Sequence, residues 1–298
     1  MYTALAEGMK PSEESLAFGG QALIEGVMMR SGSHMVMCVR QPDSSINTST
    51  LTVKSRTRDP ILGLPFIRGI VTLFETMYFG VKSVMHSANL ALEEENEAFT
   101  ITDYLILVVM LVAINGAFIA IPYVLTGLLG ITGILFNVVE SALRLTMFIL
   151  YLYLISRWGE VARVLQYHGA EHKAINAHEA GAPLDTETVA GYPRLNPRCG
   201  TSFLFLTVVT SIALFAMIPQ STYWMRLAYR LVLIPVIASV SYELLKLSDK
   251  HRDSPVVKAL MAPGLLFQRL TTKEPDPDMI EVAVKALEEV KSLTGSGS

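Results

Sequence analysis

Apolar residues in this chain gather into long runs through its middle and into periodic stripes toward its two ends. Four runs reach the roughly 20 mostly apolar residues that a transmembrane helix requires. They extend from about Tyr104 to Gly130, Phe136 to Trp158, Thr201 to Ile218 and Trp224 to Leu245. Pro122 and nearby glycines imply a kink or break late in the first run, and Pro235 lies in the middle of the fourth. Ahead of the runs, "HMVMCVRQPDSSINTSTLTVKSR" reads as two β-strands about a Pro-Asp-Ser-Ser turn, preceded by a glycine-flanked extended segment, "GGQALIEGVMMR".

Pro60 and Pro65 then punctuate the entry to a helix from about Phe66 to Glu95. Its apolar stripe, including Ile67, Val71, Phe74, Tyr78 and Val81, suits packing on the spans or lying in the bilayer interface. The run "LEEENE" reads as its solvated end. Between the second and third runs, residues from about Glu160 to Ala180 contain no proline and stop at "GAP", the signature of a helix with a glycine cap. After the fourth run come proline-punctuated segments with an apolar patch, then an amphipathic helix from about Asp278 to Leu293, capped by Asp276 or Asp278, and a flexible "GSGS" end.

The expected fold is mainly α and integral to the membrane, with about four transmembrane helices and a small β-containing cytoplasmic region before them. Residues 1–100 form that region with its amphipathic helix. Residues 101–250 form the membrane domain, carrying a helix-loop at 159–199, and 251–298 an interfacial segment with a C-terminal helix. Composition agrees: 51% of the 298 residues are hydrophobic and 17% charged, with mean hydropathy +0.41, against about 25% charged in soluble domains. Lys and Arg concentrate before the first run, after the second and after the fourth, which places both termini and the 157–198 segment in the cytoplasm. The N-terminal residues have no signal-peptide pattern. A net charge of -3, mixed in sign, gives no reason to expect a nucleic-acid partner. Cys38 and Cys199 lack metal-ribbon or redox spacing, and no disulfide is expected.

The polar stretch "YHGAEHKAINAHEAG" stands out between the apolar runs. On a helix, His168, Glu171, His172 and Glu179 share one face, with His178 over the same edge. Histidines four apart can reach one zinc ion, and H-x-x-E-H is the order in which the glutamate serves as general base toward metal-bound water. Zinc would lower the pKa of that water to about 7. A third ligand is then needed, and Glu243, Glu179 and Cys199 are all candidates. The plainer alternative is a solvated helix whose side chains pair with Lys173, Arg194 or Arg198. Cys199 precedes an apolar helix, whose N-terminal amides suit a sulfur nucleophile or ligand, although a lone cysteine more often packs. Glu25 and Glu75 are carboxylates in apolar settings and further candidates for desolvated acids. Glu140 and Arg144 share a helix face inside the second run, as an internal ion pair or as part of a transport path.

Seven stretches together, among them "GGQALIEGVMMR", "PFIRGIVTLFE", "YHGAEHKAINAHEAG", "RCGTSF" and "PGLLFQRLTTKEPDPD", resemble the YqhQ-like family of bacterial multi-pass membrane proteins, in order from about Phe18 to Leu293. The resemblance implies a location in the bacterial cytoplasmic membrane and a metal-dependent enzyme. It carries over His168, Glu171, His172, Asn176, Glu179, Arg198, Cys199 and Glu243, with Gly20, Gln21, Glu25, Gly26, Arg68 and Glu75 before the spans. His178 stands where the family commonly has tyrosine, which argues against it as a ligand. Met279 departs from an expected glutamine.

The leading expectation is a zinc-dependent hydrolase at the cytoplasmic membrane face, with His168 and His172 as ligands, Glu171 as proton carrier and Glu243 or Cys199 completing the set. Its partner is the lipid bilayer, its substrate is open, and a homo-oligomer is compatible. The alternatives are a membrane scaffold or regulator in which the cluster is a structural network, and an oligomeric transporter or channel built on Glu140, Arg144, Asn115 and the span prolines.

Overall fold

A computed structural model describes residues 18–53, 55–92, 100–197, 199–218, 222–251 and 254–295. Most of "LEEENE", the last residues of "GSGS" and Arg198 therefore lie outside the described residues. Four strands open the chain, β1 (Phe18–Leu23), β2 (Gly26–Ser31), β3 (His34–Arg40) and β4 (Ile46–Thr52), paired in that order as an antiparallel meander. The two strands expected around Pro-Asp-Ser-Ser are β3 and β4. The "GGQALIEGVMMR" segment is a hairpin, with Leu23 opposite Gly26 and a turn through Ile24 and Glu25. Glu25 turns the chain at φ +50°, a conformation for which glycine or asparagine is the usual signal. With neither present, the alternation ran on through the turn and hid it.

Side chains alternate across this sheet, as the pleat requires. Leu23, Met28, Met35 and Val39 bury themselves toward α1 (Ile67–Leu92), against Phe79 and Val84. Val27, Met29, Val36 and Cys38 point the other way, into a core formed with α4 (Gly159–Glu179) and the last helix, α10 (Pro277–Gly295). The chain's two ends thus make one layered unit, with Arg40 on β3 donating to Glu281 at 2.7 Å and to the Asp278 carbonyl at 2.8 Å on α10. Met279 fills that core completely buried, which gives the residue a packing role.

Between these ends lie α2 (Ile101–Leu128), α3 (Gly133–Ile155), α5 (Thr186–Ala190), α6 (Thr201–Ala216), α7 (Tyr223–Val232), α8 (Ile234–Lys250) and α9 (Pro255–Thr271). Among the described residues two helices are long and apolar enough to cross a membrane, over Val108–Leu128 and Gly133–Ile155, and the α7–α8 pair makes a third if it counts as one span. The chain is thus a mainly helical protein with membrane-suited helices. Two of the four expected runs behave differently. The third is α6, whose 16 residues reach about 24 Å at 1.5 Å per residue, short of a 30 Å hydrocarbon core; it packs between α8 and α9. The fourth bends by 42° between α7 and α8, two residues before Pro235. Proline removes one helical hydrogen bond and crowds the carbonyl of the preceding turn. Pro122, by contrast, sits inside an uninterrupted α2, where Thr126 Oγ1 donates to its carbonyl at 2.8 Å.

Glu140 and Arg144 form the expected internal ion pair on α3, and a second cation joins them: Arg230 of α7 lies 3.0 Å from Glu140. All three are buried. The Arg230 guanidinium also sits 4.5 Å from the Tyr123 ring centre and 5.0 Å from that of Phe215, tying α2, α6 and α7 together.

Candidate functional site

The helix carrying His168, Glu171 and His172 is crossed by the segment that links α9 to α10. Lys273 N donates to the Leu165 carbonyl at 2.8 Å, and a Cβ on Gly169 would stand 2.1 Å from the Lys273 carbonyl oxygen. Only glycine between His168 and Ala170 lets that backbone through. The same crossing brings the Thr271 carbonyl to 2.7 Å from His168 Nδ1.

On its other side α4 grips the loop that leads to Cys199. Lys173 Nζ donates to the Ala190 carbonyl at 2.7 Å, Asn176 Nδ2 to those of Pro193 and Leu195 at 2.7 and 3.1 Å, and His172 Nδ1 to that of Arg194 at 2.7 Å. Buried Gln268 on α9 closes the loop with two bonds to the Asn196 backbone, at 2.9 and 2.8 Å. Cys199 follows at the start of α6, its Sγ 3.2 Å from Thr201 Oγ1 and 3.2 Å from His168 Nε2.

These contacts fix the imidazole tautomers. A carbonyl oxygen only accepts, so the Nδ1 of each ring carries a proton, and in the neutral ring the lone pair is on Nε2. His168 Nε2 meets Cys199 Sγ, and one ligand atom from each of His168, His172 and Cys199 falls within 4.8 Å of the others. His172 is 1% exposed, and its Nε2 has no hydrogen-bond partner. Buried polar atoms are nearly always paired, and this one is open to a ligand. Carbonyl-held imidazoles converging on a cysteine are the arrangement that second-shell hydrogen bonds give to metal ligands.

Glu171 completes the setting from below. Its carboxyl is buried, accepts from the Gly20 backbone N–H, and keeps Oε2 without a partner. Burial pushes its pKa up to about 7, against the opposing pull of His168 and of that N–H. A Cβ on Gly20 would stand 2.8 Å from the Glu171 Cδ and 2.6 Å from the Met28 carbonyl oxygen, so β1 needs glycine there. A cavity of about 100 Å³ is lined by Gly20, Glu171, His172, Asn196 and Cys199 among others. A larger one, of about 1000 Å³, adjoins it through shared residues of β1 and the Asn196 turn.

Of the other expected site residues, several have different partners. Glu243 accepts from Arg68 at 2.5 and 2.8 Å and from the Phe66 N–H at 3.2 Å; the group of converging ligand atoms holds Cys199 and not Glu243 beside the two histidines. Glu75 accepts from Ser55 Oγ at 2.8 Å and from the Arg56 N–H at 2.6 Å, which caps the turn before α1. Glu25 accepts two bonds from Arg163 at 2.5 and 2.6 Å and one from Tyr167 at 3.2 Å. Those bonds, led by Arg163, hold its pKa below the ordinary carboxylate value, the reverse of a desolvated acid. Glu179 lines the larger cavity and His178 packs edge-on against Phe18, 4.9 Å between ring centres. Arg163, Gln268 and the two carbonyls had no signal in the sequence as members of this network, because a backbone acceptor is the same at every position.

Over residues 64–293 the chain matches the family described as a protein of unknown function, DUF1385. It is 35% identical to the uncharacterized protein YqhQ of Bacillus subtilis (strain 168), over 93% of this chain and 93% of that one. No solved structure matches it.

Proposed function

The chain belongs to the DUF1385 family, and we propose that it is a metal-dependent hydrolase working at the cytoplasmic face of the bacterial cytoplasmic membrane, with both termini in the cytoplasm. The observation that carries the reading is the buried, unpartnered Nε2 of His172, in a group where His168, His172 and Cys199 each bring a ligand atom within 4.8 Å of the others. Two imidazoles and a thiolate suit zinc, and three protein ligands with a fourth position open is the pattern of catalytic zinc sites. Bound there, zinc would supply a water ionising near pH 7 and polarise a substrate carbonyl. His168 and His172 would hold it in the tautomer their carbonyl partners dictate, and Cys199 would complete the set. Glu171, at the wall of the same cavity, has a free oxygen with which to take the proton of an attacking water and return it to the leaving group.

One other reading has a specific contact in its favour. Cys199 Sγ at 3.2 Å from His168 Nε2 would also serve a cysteine nucleophile with a histidine base. It leaves the lone pair of His172 and Oε2 of Glu171 without a use, and so does a purely structural network, in which buried polar atoms pair with one another. Metal analysis of purified, zinc-loaded protein separates these. The metal reading expects one zinc per chain in wild type and in Glu171→Gln, and loss of it in His172→Ala. Zinc-free wild type after loading sinks it.

A further inference from the structure

We propose that the cavity of about 1000 Å³ beside this site is the seat of an anionic membrane lipid, with its chain between α8 and α9 and its headgroup at Lys246 and Lys258, the lysines that these helices bring to its lining. This deepens the hydrolase reading and rests on it only for the fate of the bound lipid. The cavity is at the upper end of ligand-site volumes, large enough for a chain together with a headgroup.

Its walls are graded. From α9 come Val257, Met261 and Leu265, spaced four apart and so stacked along one helix face. Tyr242 and Leu245 of α8 and Phe79 of α1 face them across the space. Three cations, Arg30, Lys246 and Lys258, line it against two carboxylates, Glu179 and Asp249. Its excess charge is therefore positive. Phe18, Gly19, Gly20 and Asn196 line both this cavity and the small one with Glu171, His172 and Cys199, so the two adjoin and an occupant of one lies beside the other.

The frame of the cavity connects it to the bilayer. α8 is the second half of the bent candidate span. α9 is apolar beyond its cavity face too: on the flank beside it, Val256 and Leu260 are 65% and 66% exposed. On α1, Phe74 and Tyr78 are 68% and 63% exposed. Helices with outward apolar faces and lysines at their rim lie in the membrane interface, and a cavity between them opens to lipid more readily than to a cytoplasmic peptide. Anionic lipid is drawn to such basic positions on the cytoplasmic leaflet.

Photolabelling tests this. The full chain is placed in phosphatidylglycerol nanodiscs doped with a phosphatidylglycerol carrying a diazirine at the chain end, and labelled residues are mapped by mass spectrometry. Annular lipid labels the outward Val256 and Leu260 in any case; a seated lipid also labels Val257, Met261 or Leu265. Excess unlabelled phosphatidylglycerol should suppress the inner label and phosphatidylcholine should not. Met261→Trp should abolish it. Lys246→Gln and Lys258→Gln, which leave the packing alone, should weaken it by about fivefold each. Label confined to the outward residues, inner label unchanged in Met261→Trp and in both lysine variants, or its displacement by soluble peptide but not by phosphatidylglycerol, would overturn the proposal. Zinc content measured on the same samples keeps the two readings apart: inner label without zinc removes only the hydrolase, and zinc without inner label removes only the lipid.

Discussion

Two buried polar clusters in this molecule solve the same problem in opposite ways. On α3 and α7, Glu140 stands between Arg144 and Arg230, with aromatic rings over both guanidinium groups, and opposite charges meet, although Glu140 Oε2 and the Nε of each arginine have no hydrogen-bond partner. On α4, every group that would steady the site is answered by backbone, from the Thr271 and Arg194 carbonyls to the Gly20 N–H. The atoms that could do chemistry, His172 Nε2 and Glu171 Oε2, are left unanswered. A cluster closed by charge pairing holds helices together; one whose imidazoles are held from behind by backbone, with a lone pair left over, is arranged to receive a ligand. The difference lies in which atoms the backbone occupies and not in the residue types.

The largest effect should come from opening the closed cluster. Glu140→Gln leaves Arg144 and Arg230 buried without their counter-charge, and unfolding in detergent should show a loss of about 3 to 5 kcal/mol. That loss should be the same with and without chelator. A change near zero would mean that the pair does not hold α3 to α7, and the contrast with the α4 site would lose one of its sides.

Next in size is the effect of filling the open cluster. A ligand bound only by the folded state, present at a hundred times its Kd, stabilises by about 2.7 kcal/mol. Zinc should therefore raise the stability of wild type by that order and chelator should remove the gain, whereas His172→Ala should respond to neither. Equal responses in the two proteins would place the bound zinc elsewhere.

These outcomes bear on what the chain's pattern could reveal. Helical spacing alone brought His168, Glu171 and His172 to one face, and α4 keeps that face. It could not choose among Glu243, Glu179 and Cys199, because the choice depends on a loop led by Lys173, His172 and Asn176 through backbone carbonyls, and carbonyls leave no trace in the residue alphabet. The strands β3 and β4 were visible through their turn, while the β1–β2 hairpin was hidden by a turn built on Glu25 without glycine. Apolar length revealed α2 and α3 as membrane-suited helices. It did not settle α6, a shorter apolar helix, since a helix packed between α8 and α9 needs an apolar surface as much as one in lipid does.

The smallest effect concerns the peg that holds β1 beside the site. The Glu25 pKa is lowered in the folded chain, chiefly by the Arg163 hydrogen bonds. Its contribution is therefore present above the unfolded value, near pH 4.5, and is lost as pH falls through the lower folded value. Because Arg163 is half exposed, the contribution should stay under about 1 kcal/mol. Glu25→Gln should lower stability slightly at pH 7 and converge with wild type in acid. Curves that stay parallel down to pH 3 would deny the peg an electrostatic role.

On the proposed reading, His168, His172 and Cys199 together hold one metal ion. X-ray absorption at the zinc edge of the loaded full chain reads that set directly. The account predicts one sulfur at about 2.3 Å and imidazole nitrogens at about 2.0 to 2.1 Å, with the sulfur shell missing in Cys199→Ser and unchanged in Glu243→Gln. A wild-type spectrum with no sulfur neighbour, or a sulfur shell that survives in Cys199→Ser, would contradict it.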